Sequence, residues 1–322
     1  MASSRASVST FEQQAVDLAW GAWVELGVPG ADRTHQDWAI DPEPLILFTA
    51  FLGDTDGRLR DEATDWCIRS WRSVSKNRLR RLLAESPADV VEGFGVLAAT
   101  VNERAGITWP GATDSRPHRT SGRPRPPVDL TRESMAWLRL RTIFGMSARA
   151  EVLRYFLPRS TVYVSAAMIA RRTGYTKRSI AEEAENLAEA GVLGAQRSQH
   201  AHLYTLERRQ ALEDLVGKLP LYMPDWADYF AIARELVLVE RAIGRPGALP
   251  ASVPVKALGA LEAMEPAIDH LRLVAPASGL RGADLWPAVR DFGKDTLGKW
   301  AAGRGTPVAR QIGMEALVRR VL

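Results

Sequence analysis

The side chains with the clearest chemical potential are cations and hydroxyls crowded into one stretch. Arg171 and Arg172 precede Gly174, and Tyr175, Thr176, Lys177, Arg178 and Ser179 follow it without interruption. Guanidinium and ammonium groups hold phosphate oxygens, while hydroxyls and short polar side chains read hydrogen-bonding edges. Arg197, Ser198, Gln199 and His200 repeat the same mixture further along. The chemistry these residue types offer is recognition of a polyanion, with no bond made or broken.

Other spacings that could do chemistry fail on their neighbours. Gly293 to Lys299 follows the GxxxxGK pattern, but Trp300 stands where a phosphate-binding loop needs Ser or Thr, and the preceding residues read as helix rather than strand. Asp54, Asp56 and Gly57 hint at a calcium loop, yet Arg58 and Leu59 occupy positions that require an oxygen ligand and a glycine. Gly93 and Gly95 lie in a helical pattern and make no dinucleotide fingerprint. His200 and His202 would share one face of a hairpin without a third ligand nearby. His35, His118 and His270 have no acid or nucleophile close in sequence, and Cys67 sits among tryptophans as a small apolar residue. These readings predict no catalytic residue, no metal and no cofactor, so the chain is expected not to be an enzyme.

Charge is distributed to match. Segment 131–210 holds thirteen Lys/Arg against seven Asp/Glu, a charge of +6, in a chain whose total is +4. The remainder is therefore slightly acidic, and the positive field is concentrated in the middle, where it would attract phosphate backbones. The single cysteine excludes an internal disulfide and fits a reducing cytoplasm. The polar N-terminal stretch has no apolar signal region, and no apolar run is long enough for a membrane span.

The elements that must position these residues read as mainly α. A helical N-terminal domain over 1–107 is expected from apolar spacing in 11–26, a Pro-started helix at 42–52 with Asp41 as its N-cap acceptor, and helices at 59–73, 78–84 and 88–104. Trp20, Trp23, Trp66 and Trp71 fall on its core faces. Residues 108–130 are rich in Pro, Gly and Arg and read as a linker, with Arg116, Arg119, Arg123 and Arg125 along it. A helical C-terminal domain is expected over 207–322, with helices near 207–218, 224–243, 254–274, 283–302 and 306–321.

Between them lies 131–206. Ser147 opens a helix ended by Pro158, and Thr161 to Val164 is β-prone. Ser165 caps a helix over 166–172, Gly174 follows in a position that tolerates positive φ, and Thr176 caps a helix over 177–190 with Ile180, Ala184 and Leu187 inward. Gly191 ends it, and 194–197 with 201–206 form a hairpin. The stretch VSAAMIARRTGYTKRSIAEEAENLAEAGVL resembles winged helix-turn-helix transcription regulators of the MarR, ArsR and GntR kinds. The matching part is the spacing A..IA..TG....S....L..L..AG.L.

The resemblance implies roles. Thr176, Lys177, Arg178 and Ser179, at the start of the third helix, would enter the major groove of double-stranded DNA. Arg171, Arg172 and Tyr175 would hold phosphates. The wing residues Arg197, Ser198, Gln199 and His200 would reach the backbone or minor groove. Operators usually present two half-sites, so a homodimer is expected. One feature is discordant: Glu182, Glu183, Glu185 and Glu189 make the rest of the third helix acidic, and Glu183 lies nearest the DNA face. Those glutamates keep a second expectation open, an antitoxin-like or adaptor chain whose winged helix contacts a protein partner.

Overall fold

The computed structural model describes residues 10–30, 32–53, 55–113, 118, 120, 127–159, 162–198, 201–276 and 280–305. Thirteen α-helices and one three-stranded antiparallel sheet are present among them, so the mainly α reading holds. None of the described helices is long and apolar enough to cross a membrane. The expected helix at 306–321 lies outside the described residues, as do Arg116, Arg119, Arg123 and Arg125.

Eight helices build the larger body: α1 (Thr10–Glu25), α2 (Pro42–Leu52), α3 (Gly57–Ser70), α4 (Lys76–Glu85), α5 (Ala88–Ala105), α11 (Trp226–Gly244), α12 (Val253–Leu271) and α13 (Leu285–Ala301). Their apolar faces meet in a single buried cluster, so the N- and C-terminal helical regions share one core. Helix α2 runs through its centre. Its sequence, PEPLILFTAFL, is apolar on almost every side, and every residue of it is buried. Phe48 stacks on Phe230 of α11 at 4.3 Å between ring centroids, an arrangement that adds geometry to area burial. Trp109, at the start of the Pro-rich stretch, is also buried and stacks with Phe94.

The tryptophans divide by depth. Trp23 and Trp66 meet edge to face inside the core, while Trp20 and Trp71 pack on its margin. Gly293 explains the phosphate-loop look-alike. It lies in α13, and a Cβ there would come within 2.8 Å of Phe11 and Leu236 side chains, so the glycine lets three helices approach closely. Asp56 likewise serves a local purpose, accepting the Leu59 N–H at 3.0 Å as the N-cap of α3.

A second core holds the central elements: α6 (Ala136–Phe144), α7 (Ala148–Phe156), β1 (Val164–Ser165), α8 (Ala166–Thr173), α9 (Lys177–Glu189), β2 (Leu193–Ser198), β3 (Ala201–Leu206) and α10 (Arg209–Val216). Val152, Phe156, Ile169, Ile180, Ala184, Leu187, Leu193 and Tyr204 fill it. The sheet order is β1-β3-β2, with Val164 opposite Tyr204 and Arg197 opposite His202. Three details depart from expectation. Helix α6 was not foreseen. The first strand is only Val164–Ser165, because Ser165 turns at once into the N-cap of α8 by accepting the Met168 N–H. Ser147 does not cap α7 with its hydroxyl, which donates instead to the Phe144 carbonyl at 3.1 Å.

Candidate nucleic-acid interface

Local sequence sets the α8–α9 corner. Gly174 adopts φ 74°, the left-handed conformation that ends α8 without a Cβ penalty. Thr176 then accepts the Ser179 N–H at 3.1 Å and starts α9. Ile169, Ala170, Ile180 and Ala184 face inward, and the small alanines let α8 and α9 approach closely. The polar residues at the start of α9 are thereby turned outward.

Thr176, Lys177 and Arg178 are exposed, and Ser179 is half-buried with its hydroxyl 2.9 Å from that of Thr176. Arg178 pairs with Glu182 at 2.8 Å on open surface, where such a pair contributes little and yields to a stronger partner. Arg171 is exposed, as are Arg197 and Ser198 on β2. Gln199 and His200 lie outside the described residues.

Two of the predicted residues are engaged elsewhere. Arg172 reaches Asp225 at 3.6 Å and Asp228 at 3.5 Å, at the start of α11. Tyr175 is half-buried, hydrogen-bonded to the Ser75 side chain at the N-cap of α4, and burial raises its phenol pKa. Sequence reasoning missed both because the partners are distant in the chain. The discordant glutamate also has a partner: Arg149 on α7 holds Glu183 at 2.9 Å, so the carboxylate expected nearest the DNA face is paired within the protein.

Helices α6 and α7, on which the corner packs, are fixed to the body by a buried ionic network. Asp41 and Glu43 at the start of α2 meet Arg78 of α4, Arg141 of α6, and Glu151 and Arg154 of α7. Three guanidinium groups and three carboxylates balance. Burial alone would raise the Asp41 carboxyl, but Arg154, Arg78 and Arg141 outweigh it and hold the group far below the usual carboxylate range. Glu151 is lowered too, again against burial, by Arg78, Arg154 and Arg141. Asp41 was expected to cap α2 with its side chain; the carboxylate makes no cap bond and is spent on this network instead.

Two further features lie near. Asp225, Asp228 and His270 place one ligand atom each within 4.8 Å of one another, a set that suits a divalent cation by type. Arg172 already pairs with both carboxylates, and His270 Nδ1 contacts Asp228, so each of the three groups has a partner within the protein. An apolar cleft of about 320 Å³ between α2, α5 and α11 is walled by Leu47, Phe48, Phe51, Val90 and Phe230. Its charged rim is self-paired through Arg234, Asp89 and Glu235.

No family model matches this chain, and no curated protein or solved structure matches it.

Proposed function

We propose that residues 147–206 form a winged helix-turn-helix and that the chain is a DNA-binding transcriptional regulator working in the cytoplasm. The observation that carries this reading is the outward-facing first turn of α9, where Lys177 and Arg178 project from a helix N-terminus whose dipole favours anions. Thr176, Lys177, Arg178 and Ser179 would enter the major groove. Arg171 would grip the backbone, and Arg197 and Ser198 would contact it from the hairpin. Neutralisation of Glu183 by Arg149 supports approach of DNA to this turn. The helical body would then sense an effector or hold a second copy over the other half-site.

The test is a titration of duplex DNA against salt. Lys177→Ala and Arg178→Ala are expected to weaken binding to a preferred sequence, each by about 1–3 kcal/mol if it reads a base edge. Arg171→Ala is expected to weaken binding to every sequence and reduce the salt slope by about 1. Unchanged affinity in all three variants would place the DNA face elsewhere.

A second reading is that the same module binds a protein, as an antitoxin-like or adaptor chain. Tyr163 and Met168, apolar and 50% and 42% exposed on the module, favour it. Purification with a stoichiometric protein partner, and no duplex shift at low salt, would select this reading over the first.

A further inference from the structure

Helix α4 carries the sequence KNRLRRLLAE and belongs to the body, yet it lies against the α8–α9 corner. A Cβ on Gly174 would sit 3.5 Å from the Arg78 Cα and 3.5 Å from the Arg81 Cβ. Tyr175 hydrogen-bonds to Ser75, which caps α4 by accepting the Arg78 N–H. The corner that presents Lys177 and Arg178 therefore abuts the helix that presents Lys76, Arg80 and Arg81.

The orientation of α4 is set from two sides. Leu79 is fully buried in the body core, with Leu82 and Leu83 packed against it. Arg78 is buried and clamped by Asp41 at 2.6 Å and by Glu43. With those faces committed, Lys76, Asn77, Arg80 and Arg81 are left exposed. Asn77, Arg80 and Arg81 lie on one side of the helix, and the Arg81 Cβ borders Gly174. Glu85 is the one acid on this helix, and Arg81 holds it at 2.6 Å with both side chains open to solvent. Such a pair contributes little and a phosphate can replace the carboxylate.

We propose that α4 is a second phosphate-binding element, in which Arg80 and Arg81, with Lys76 at the helix N-terminus, hold the duplex backbone beside the groove entered by α9. This rests on the reading of the module as DNA-binding. Duplex DNA is preferred over an acidic protein segment because α4 borders Gly174, three residues before Lys177, so one phosphate backbone can run past both. The contact is independent of sequence and adds affinity rather than specificity.

The experiment titrates a labelled mixed-sequence duplex with the full chain at several salt concentrations, for the parent, Arg80→Ala/Arg81→Ala and Arg80→Lys/Arg81→Lys. The alanine pair is expected to flatten the plot of log affinity against log salt by about 2, with a loss of roughly tenfold or more, at unchanged thermal stability. The lysine pair is expected to keep the parent slope, because charge and not fork geometry is what a phosphate contact needs. If the parent binds duplex and the alanine pair matches it in slope and affinity, the α4 assignment is overturned and the DNA reading stands. If the parent binds no duplex at low salt, both fall. Polyglutamate capture by the parent, lost in the alanine pair and without duplex binding, would assign the surface to acidic protein segments and overturn the proposal.

Discussion

Arg141 grips Glu43 with two guanidinium nitrogens, at 2.8 and 2.9 Å, across 98 residues of chain. The pair joins the start of the central body helix to the first helix of the module, and both side chains are almost wholly buried. A fork meeting a carboxylate in this way fixes direction as well as distance. Glu43 also accepts the Ser75 N–H at 2.6 Å, so the same carboxylate seats the start of α4.

Removing one partner of such a network leaves buried charge without a counterpart. Glu43→Gln is expected to lower unfolding free energy by about 3–5 kcal/mol in denaturant titration. A variant within about 1 kcal/mol of the parent would mean that water or neighbouring groups take over the role of the carboxylate.

Acid should weaken the fold in two stages. His35 is buried, its Nε2 2.9 Å from the Trp300 carbonyl and its Nδ1 2.8 Å from the Thr34 hydroxyl. Burial lowers its pKa to about 4, against a usual value of about 6.5. The unfolded chain then binds the proton first as pH falls. Stability is full above about 6.5 and declines towards pH 4, by roughly 3 kcal/mol from this residue. His35→Gln should flatten that first stage of a melting curve series. Asp41 and Glu151 have depressed values, so their contribution is full above about 4 and is lost only below it. A single loss confined to pH below 4 would count against the assignment to His35.

Gly174 separates backbone strain from crowding. A Cβ there meets its neighbours at an ordinary 3.5 Å, but φ is 74°. Gly174→Val should cost more than Gly174→Asn in stability, since Asn visits the left-handed region most readily among residues with a Cβ. Equal costs, measured by thermal melting, would place the penalty in packing against α4 instead.

Arg149 should matter to DNA binding without touching DNA. Arg149→Ala would free Glu183 as an unpaired anion near the α9 turn and is expected to weaken duplex binding several-fold at low salt. Adding Glu183→Gln should restore affinity. If the double variant binds no better than Arg149→Ala, then Arg149 itself contacts phosphate.

Much of this arrangement was readable in the sequence where signals were local. Ser165 and Thr176 cap their helices as expected, Gly174 takes the left-handed conformation, and Ile180, Ala184 and Leu187 turn inward. What escaped was everything decided across the chain. Arg172 looked free for phosphate because Asp225 and Asp228 stand far downstream. Asp41 looked like an ordinary cap because Arg78 and Arg154 were not adjacent to it. Helix α6 leaves little local signal, although Trp137, Leu138 and Leu140 fill its buried side, because it spans only nine residues and has no side-chain N-cap bond. Ion pairs leave no periodicity in a sequence, and only packing reveals them.

The shared core of α1–α5 and α11–α13 has a consequence for the newborn chain. Helix α2 is greasy on all sides, and its Phe48 is covered by Phe230, which leaves the ribosome only after the whole central module has been made. Synthesis proceeds at about 5–20 residues per second, so the early helices wait for seconds with their central face unroofed. During that interval the compact unit at 131–216 is complete in sequence and can fold first. The body then closes beside it, so the earliest-translated helices are expected to complete their core after the later-translated unit has formed.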